Sequence, residues 1–85
     1  MTAYSEVIEE LETVIDYVRF CGSEMERSDV YFGHGTDNAW DDAVALVFYV
    51  ISSPVELGQK IMQAKLVKQE RQQVLELLAL RIREN

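Results

Sequence analysis

The sequence predicts an all-α fold, a small antiparallel helical bundle of three main helices plus one short helix. Three observations carry that prediction. Apolar residues recur every three or four positions at both ends of the chain, the spacing of one helix face. The connections between periodic stretches are a few residues long and carry cap or stop residues. Hydrophobic residues make up 48% of the chain and charged residues 27%, the balance of a chain that builds a core. Its 85 residues make one domain, residues 1–85, with one modest core.

The first helix is predicted over about Ala3 to Asp29. Val7, Leu11, Val14, Val18, Cys21 and Met25 follow one another at spacings of three and four, widened by Ile8 and Ile15, and the opposite face is rich in Glu. Gly22 weakens the pattern by about 1 kcal/mol relative to Ala, and Ser23 with Glu26 forms a capping-box pattern there. The stripe stays in phase through Met25, which favours one long helix.

Tyr31-Phe32-Gly33-His34-Gly35-Thr36-Asp37 reads as a loop, because two glycines two residues apart permit backbone angles that other residues avoid. Asn38 then caps a second helix, with Asp41 and Asp42 in the first turn at the positive end of the helix dipole. Its body, Ala43 to Ile51, is apolar all round. That run alone would also suit a buried strand, but the cap and the helical neighbours predict a central, mostly buried helix. Ser52-Ser53-Pro54 stops it. A short helix follows over about Val55 to Met62, interrupted at Gly58. The last helix spans about Lys68 to Arg83, with Val67, Arg71, Val74, Leu75, Leu78 and Ile82 on one side and Arg81 and Arg83 in the last turn. No glycine or proline stop precedes Asn85, so the chain is expected to be part of something longer.

The net charge of −7 is unevenly spread. Residues 1–42 carry eleven acids against only Arg19 and Arg27, while residues 43–85 carry four acids against six bases. An acidic half argues against direct nucleic-acid binding, which needs a basic face, and suits a basic protein partner. The longest apolar run is far short of a membrane span, and no signal peptide opens the chain. With a single cysteine, Cys21, placed on the apolar stripe, these features predict a cytoplasmic domain with a buried, inert thiol and no membrane partner.

The search for chemistry returns little. His34 is the only histidine, and no nucleophile stands at a telling distance from it. Its neighbours Asp37, Asp41 and Asp42 do not complete a metal-ligand set, so His34 is expected to order its own loop; a metal-dependent enzyme centred on His34 is the weakest reading. Gly33-His34-Gly35 follows a helix and not a strand, so it is no cofactor fingerprint, and the nearby acids would repel a phosphate. No catalytic, metal or cofactor-binding residue is assigned. The candidate partner-binding residues are His34, Asp37, Asn38, Trp40 and Asp41 around the loop, with Glu9, Glu10 and Asp16 on the acidic face. Trp40 is a residue type common both in small cores and at binding hot spots; with Tyr31 and Phe32 close in sequence, it is expected to join a local aromatic cluster that anchors the loop.

The run from Tyr31 to Ala43, with Gly-His-Gly-Thr-Asp-Asn, one residue, then Trp-Asp, is similar to the N-terminal domain of bacterial glutamine methyltransferases that act on a large-subunit ribosomal protein. These belong to the wider family that also modifies peptide release factors. The resemblance extends over the whole chain, through the proline and Ala64-Lys65-Leu66, and departs at Val67, where a hydroxyl residue would cap the last helix. It implies a helical substrate-recognition domain that serves an S-adenosylmethionine-dependent catalytic domain absent from this chain. It also implies two partners, a basic ribosomal protein and the enzyme's own catalytic domain. The resemblance supplies no cofactor site within these 85 residues. The alternative is a stand-alone helical interaction module that forms a homodimer through its apolar helices.

Overall fold

Thr13 divides the first predicted helix in two. In the computed structural model, which describes residues 4–28, 38–52 and 58–83, a short α1 (Ser5–Glu10) ends before α2 (Val14–Arg27) begins. The break has a local cause. Thr13 is extended (φ −98°, ψ 164°) and its Oγ1 accepts the Asp16 N–H at 3.2 Å, while Asp16 Oδ2 accepts the N–H groups of Thr13 at 3.0 Å and Glu12 at 3.1 Å. This reciprocal capping box satisfies donors that a helix start leaves free. The Ser23–Glu26 pattern starts no helix, and α2 runs unbroken through Gly22.

The remaining described helices are α3 (Ala39–Ile51), α4 (Gly58–Ile61) and α5 (Lys68–Arg83). The all-α prediction holds, with α2, α3 and α5 as the three main helices and two short helices in place of one. The bounds of α5 agree with the prediction. Gly58 opens α4 and does not interrupt it; residues 53–57 lie outside the described residues.

Helix α2 supplies the largest share of the core. Val14, Tyr17, Val18, Cys21 and Met25 are all fully enclosed, packed against Ala39, Ala43, Val47 and Phe48 of α3 and Val74, Leu75 and Leu78 of α5. A Cβ added at Gly22 would stand 3.8 Å from the Ala39 carbonyl oxygen and 3.9 Å from Ala43 Cβ, so small residues bring α2 and α3 together there.

Two expectations about burial are corrected. Helix α3 is buried on one side only: Tyr49 is 76% exposed and Ala45 also faces outward. A chain this small cannot surround a helix, so even an all-apolar helix leaves one face uncovered. Val67, placed by its spacing on the apolar side of α5, is exposed. It precedes the helix, and its N–H donates to Glu70 Oε1 at 2.9 Å. The Glu70 side chain thus satisfies a free donor where no hydroxyl cap is present.

A short backbone pairing closes the body. Val14 N–H donates to the Ala64 carbonyl at 2.9 Å, Ile15 N–H to Met62 at 2.9 Å, and Leu66 N–H to Glu12 at 2.7 Å. Thr13 and Lys65 form an isolated antiparallel bridge, with Lys65 Nζ 3.4 Å from Glu12 Oε1. The start of α2 is therefore pinned from both sides.

Candidate functional site

The candidate residues fall on separate elements. Asn38, Trp40 and Asp41 share the first turn of α3; Glu9 and Glu10 stand on α1; Asp16 lies in the first turn of α2. Tyr31, Phe32, His34 and Asp37 lie outside the described residues.

At the start of α3 the cap itself occupies two candidates. Asn38 Oδ1 accepts the Asp41 N–H at 2.8 Å, and Asn38 Nδ2 donates to Asp41 Oδ2 at 3.3 Å. Asp41 stays exposed, so its second oxygen can meet a partner while the first holds the cap. Asp42, one residue on, turns inward: Arg81 Nε and Nη2 both approach its Oδ2 at 2.9 Å and tie α3 to α5.

Trp40 is 48% exposed. It lines an open groove together with Ala39 and with Arg19, Gly22, Ser23, Glu26 and Arg27 of α2. Arg19 and Arg27 are the two bases of the acidic half, and both line this groove. Arg27 also pairs with Glu24 at 2.6 Å. The sequence reading missed this pair. The available signal was the spacing of Arg19, Ser23, Glu26 and Arg27, which puts them on one polar stripe of α2, but nothing local says that Trp40 packs beside it.

Glu9 and Glu10 are exposed on α1, as is Glu6. They leave carboxylates on the surface of a helix that contributes no buried residue. Asp16 differs. Its carboxylate accepts the Thr13 and Glu12 N–H groups, and these bonds, Thr13 first, hold its pKa below the ordinary carboxylate value. It is half-buried and committed to the cap.

Cys21 is fully buried, and burial, reinforced by the Glu24 and Asp42 charges, pushes its thiol up to about 12. A thiol so held is neutral and unreactive, as its place on the stripe predicts. No group of three or more His, Cys, Asp or Glu side chains among the described residues could hold a metal ion. No described helix is long and apolar enough to cross a membrane.

Comparison with known proteins shows what the sequence is similar to. Over 72 residues, 85% of this chain, the sequence is 36% identical to the ribosomal protein uL3 glutamine methyltransferase of Neisseria gonorrhoeae. It is 35% identical over the same length to the proteins of that name from Neisseria meningitidis serogroups A and B. Over these residues the chain is similar to the proteins named ribosomal protein uL3 glutamine methyltransferase. It spans 24% of the length of each of these relatives. No family model matches the chain, and no solved structure matches it.

Proposed function

We propose that this chain is the N-terminal substrate-recognition domain of a protein-glutamine methyltransferase, and that its partner is a basic ribosomal protein of the large subunit. The observation that carries the reading is the kinship to three proteins named ribosomal protein uL3 glutamine methyltransferase. The charge pattern supports it, since Glu6, Glu9 and Glu10 lie exposed on one short helix and attract and orient a basic surface. Trp40, which lines one open groove with Arg19 and Arg27, adds the residue types that dominate binding energy at interfaces. In this reading the methyl donor and the chemistry belong to a catalytic domain outside these 85 residues, and the domain acts in the cytoplasm by presenting the substrate.

The test is binding of the 85-residue chain to purified uL3 across a salt series. The expected result is an affinity that falls with added salt and falls further in a Glu9→Lys, Glu10→Lys variant. Absence of binding at low salt, or binding indifferent to both changes, overturns the reading.

A second reading, self-association, is favoured by one observation. Ala45, Leu46, Tyr49, Leu77 and Leu80 make an apolar strip between α3 and α5 at the surface. A solution mass that doubles with concentration, and reverts in Tyr49→Glu, supports a homodimer; a constant monomer mass rejects it.

A further inference from the structure

We propose that α1 is a strap that opens as one unit while the body built from α2, α3 and α5 stays folded. This goes beyond the recognition reading and does not depend on it.

The body is complete without α1. Helix α2 starts on its own capping box, Thr13 with Asp16. The backbone of Glu12, Val14 and Ile15 is pinned to Met62, Ala64 and Leu66. The chain is therefore fixed from Glu12 onward, and Leu11, extended at φ −95° and ψ 136°, is the joint before it.

On the other side of that joint, α1 has six residues and buries none of them fully. An isolated helix needs about 12–15 residues to hold itself in water, so α1 is helical only while docked. Its docking groups are identifiable. The Tyr17 hydroxyl lies 3.0 Å from the Leu11 carbonyl and 3.3 Å from that of Val7. Arg71 Nη1 donates to the Ile8 carbonyl at 2.9 Å. The Tyr4 ring meets Phe20 edge-on at 5.6 Å. Val7 and Ile8 pack at the rim of the core.

Undocking leaves no charge buried and unpaired. Water takes up the freed carbonyls and the Tyr17 hydroxyl at small net cost, and the loss of the charged Arg71 donor from the Ile8 carbonyl sets most of the cost of opening. Opening takes Tyr4 and Ile8 away from a crevice whose other lining residues are Glu24, Gln72, Leu75, Glu76 and Ala79, and moves the carboxylates of Glu6, Glu9 and Glu10 away from the body.

Native-state hydrogen exchange of the 85-residue chain, followed by NMR across low denaturant concentrations, tests the proposal. The amides from Ile8 to Leu11 should share one opening constant, with a weaker denaturant dependence than those of Phe48 and Leu78, because less surface is exposed. Val47→Ala, a cavity in the body, should lower α3 protection about tenfold or more while leaving α1 within about twofold. Arg71→Met should lower both by the same factor, because it weakens only the closed state. The proposal is overturned if α1 protection falls in step with α3 in Val47→Ala. A smooth gradient of protection from Ile8 to Leu11 overturns it too, since that describes a fraying end. Should Val47→Ala not fold, the denaturant dependence of the unmodified chain decides alone.

Discussion

Arg71 reaches across 63 positions of sequence to the carbonyl of Ile8, with Nη1 2.9 Å from that oxygen and Nε 2.9 Å from the carbonyl of Leu66. One guanidinium thus joins the end of α1, the turn before α5 and the first turn of α5 itself. It supplies donors to a carbonyl near the C-terminal end of α1, where helical partners run out. Replacing Arg71 by Met keeps much of the apolar stem and removes both bonds. Hydrogen bonds from charged donors are each worth about 1.5–3 kcal/mol, so Arg71→Met is expected to cost about 2 kcal/mol or more in urea unfolding. Lys, which cannot fork between two carbonyls, should recover less than half of that.

The Thr13–Asp16 box makes stability depend on acid. Hydrogen bonds from Thr13 and Glu12 lower the Asp16 pKa in the folded state. A depressed carboxyl contributes stability that is fully present above its unfolded pKa and is lost as pH falls through the folded one. Melting temperature measured from neutral pH down to pH 2 should therefore fall more for the unmodified chain than for Asp16→Asn. Thr13→Ala removes the other half of the box and should cost about 1 kcal/mol at pH 7.

What the sequence disclosed follows the range of each interaction. Asn38 and Lys68–Arg83 were legible because a cap and a periodic stripe are local. The break at Leu11 to Thr13 was hidden because Val7, Leu11, Val14 and Val18 keep helical spacing across an extended joint; only Thr13-x-x-Asp16 marks it, and Ser23-x-x-Glu26 carries the same kind of pattern without starting a helix. The exposure of Tyr49 was not legible, since a helix apolar on every side does not state which side the bundle covers. Of the candidate site, Glu9 and Glu10 stand on the surface as their pattern implied. That Trp40, Arg19 and Arg27 line one groove depends on how α3 packs on α2, which no local pattern encodes.

Asp42 and Arg81 lock α3 to α5 through two 2.9 Å contacts to one carboxylate oxygen. Their side chains keep only 16% and 28% of their exposure, so solvent screens the pair less than an ordinary surface one. A double-mutant cycle of Asp42→Asn and Arg81→Gln is expected to give a coupling of about 1 kcal/mol, above the median for exposed pairs. Helix Arg27–Glu24, more exposed on the cation side at 70%, should give a smaller coupling in the same experiment.

Alkaline pH should loosen the core through Cys21 before it reaches Tyr17. Burial raises the Cys21 thiol from 9.0 to about 12 and the Tyr17 hydroxyl from 10.0 to about 12. Each group holds its proton in the folded chain at a pH where the unfolded chain has lost it. Stability is thus unaffected below the unfolded pKa and declines above it. Urea midpoints should begin to fall near pH 9 for the unmodified chain. In Cys21→Ala the onset should move up toward pH 10, where Tyr17 takes over, although the variant starts less stable from the lost volume. An onset unchanged by the substitution would assign the alkaline transition to other groups.

Gly22 offers the opposite sign of change. It sits inside α2, buried against α3, and the nearest atoms to an added Cβ are at 3.8 to 4.0 Å, ordinary contact distances. Alanine there meets no overlap, fills the seam against Ala39 and Ala43, and restricts the unfolded chain. Gly22→Ala is expected to raise stability by about 0.5–1 kcal/mol, seen as a higher urea midpoint with an unchanged slope. The same methyl narrows the groove beside Trp40, so under the proposed function uL3 binding measured on this variant tells packing from partner contact at this position. A gain in stability with unaltered binding assigns Gly22 to packing alone. A gain accompanied by weaker binding places the partner in the groove between Trp40 and Arg19.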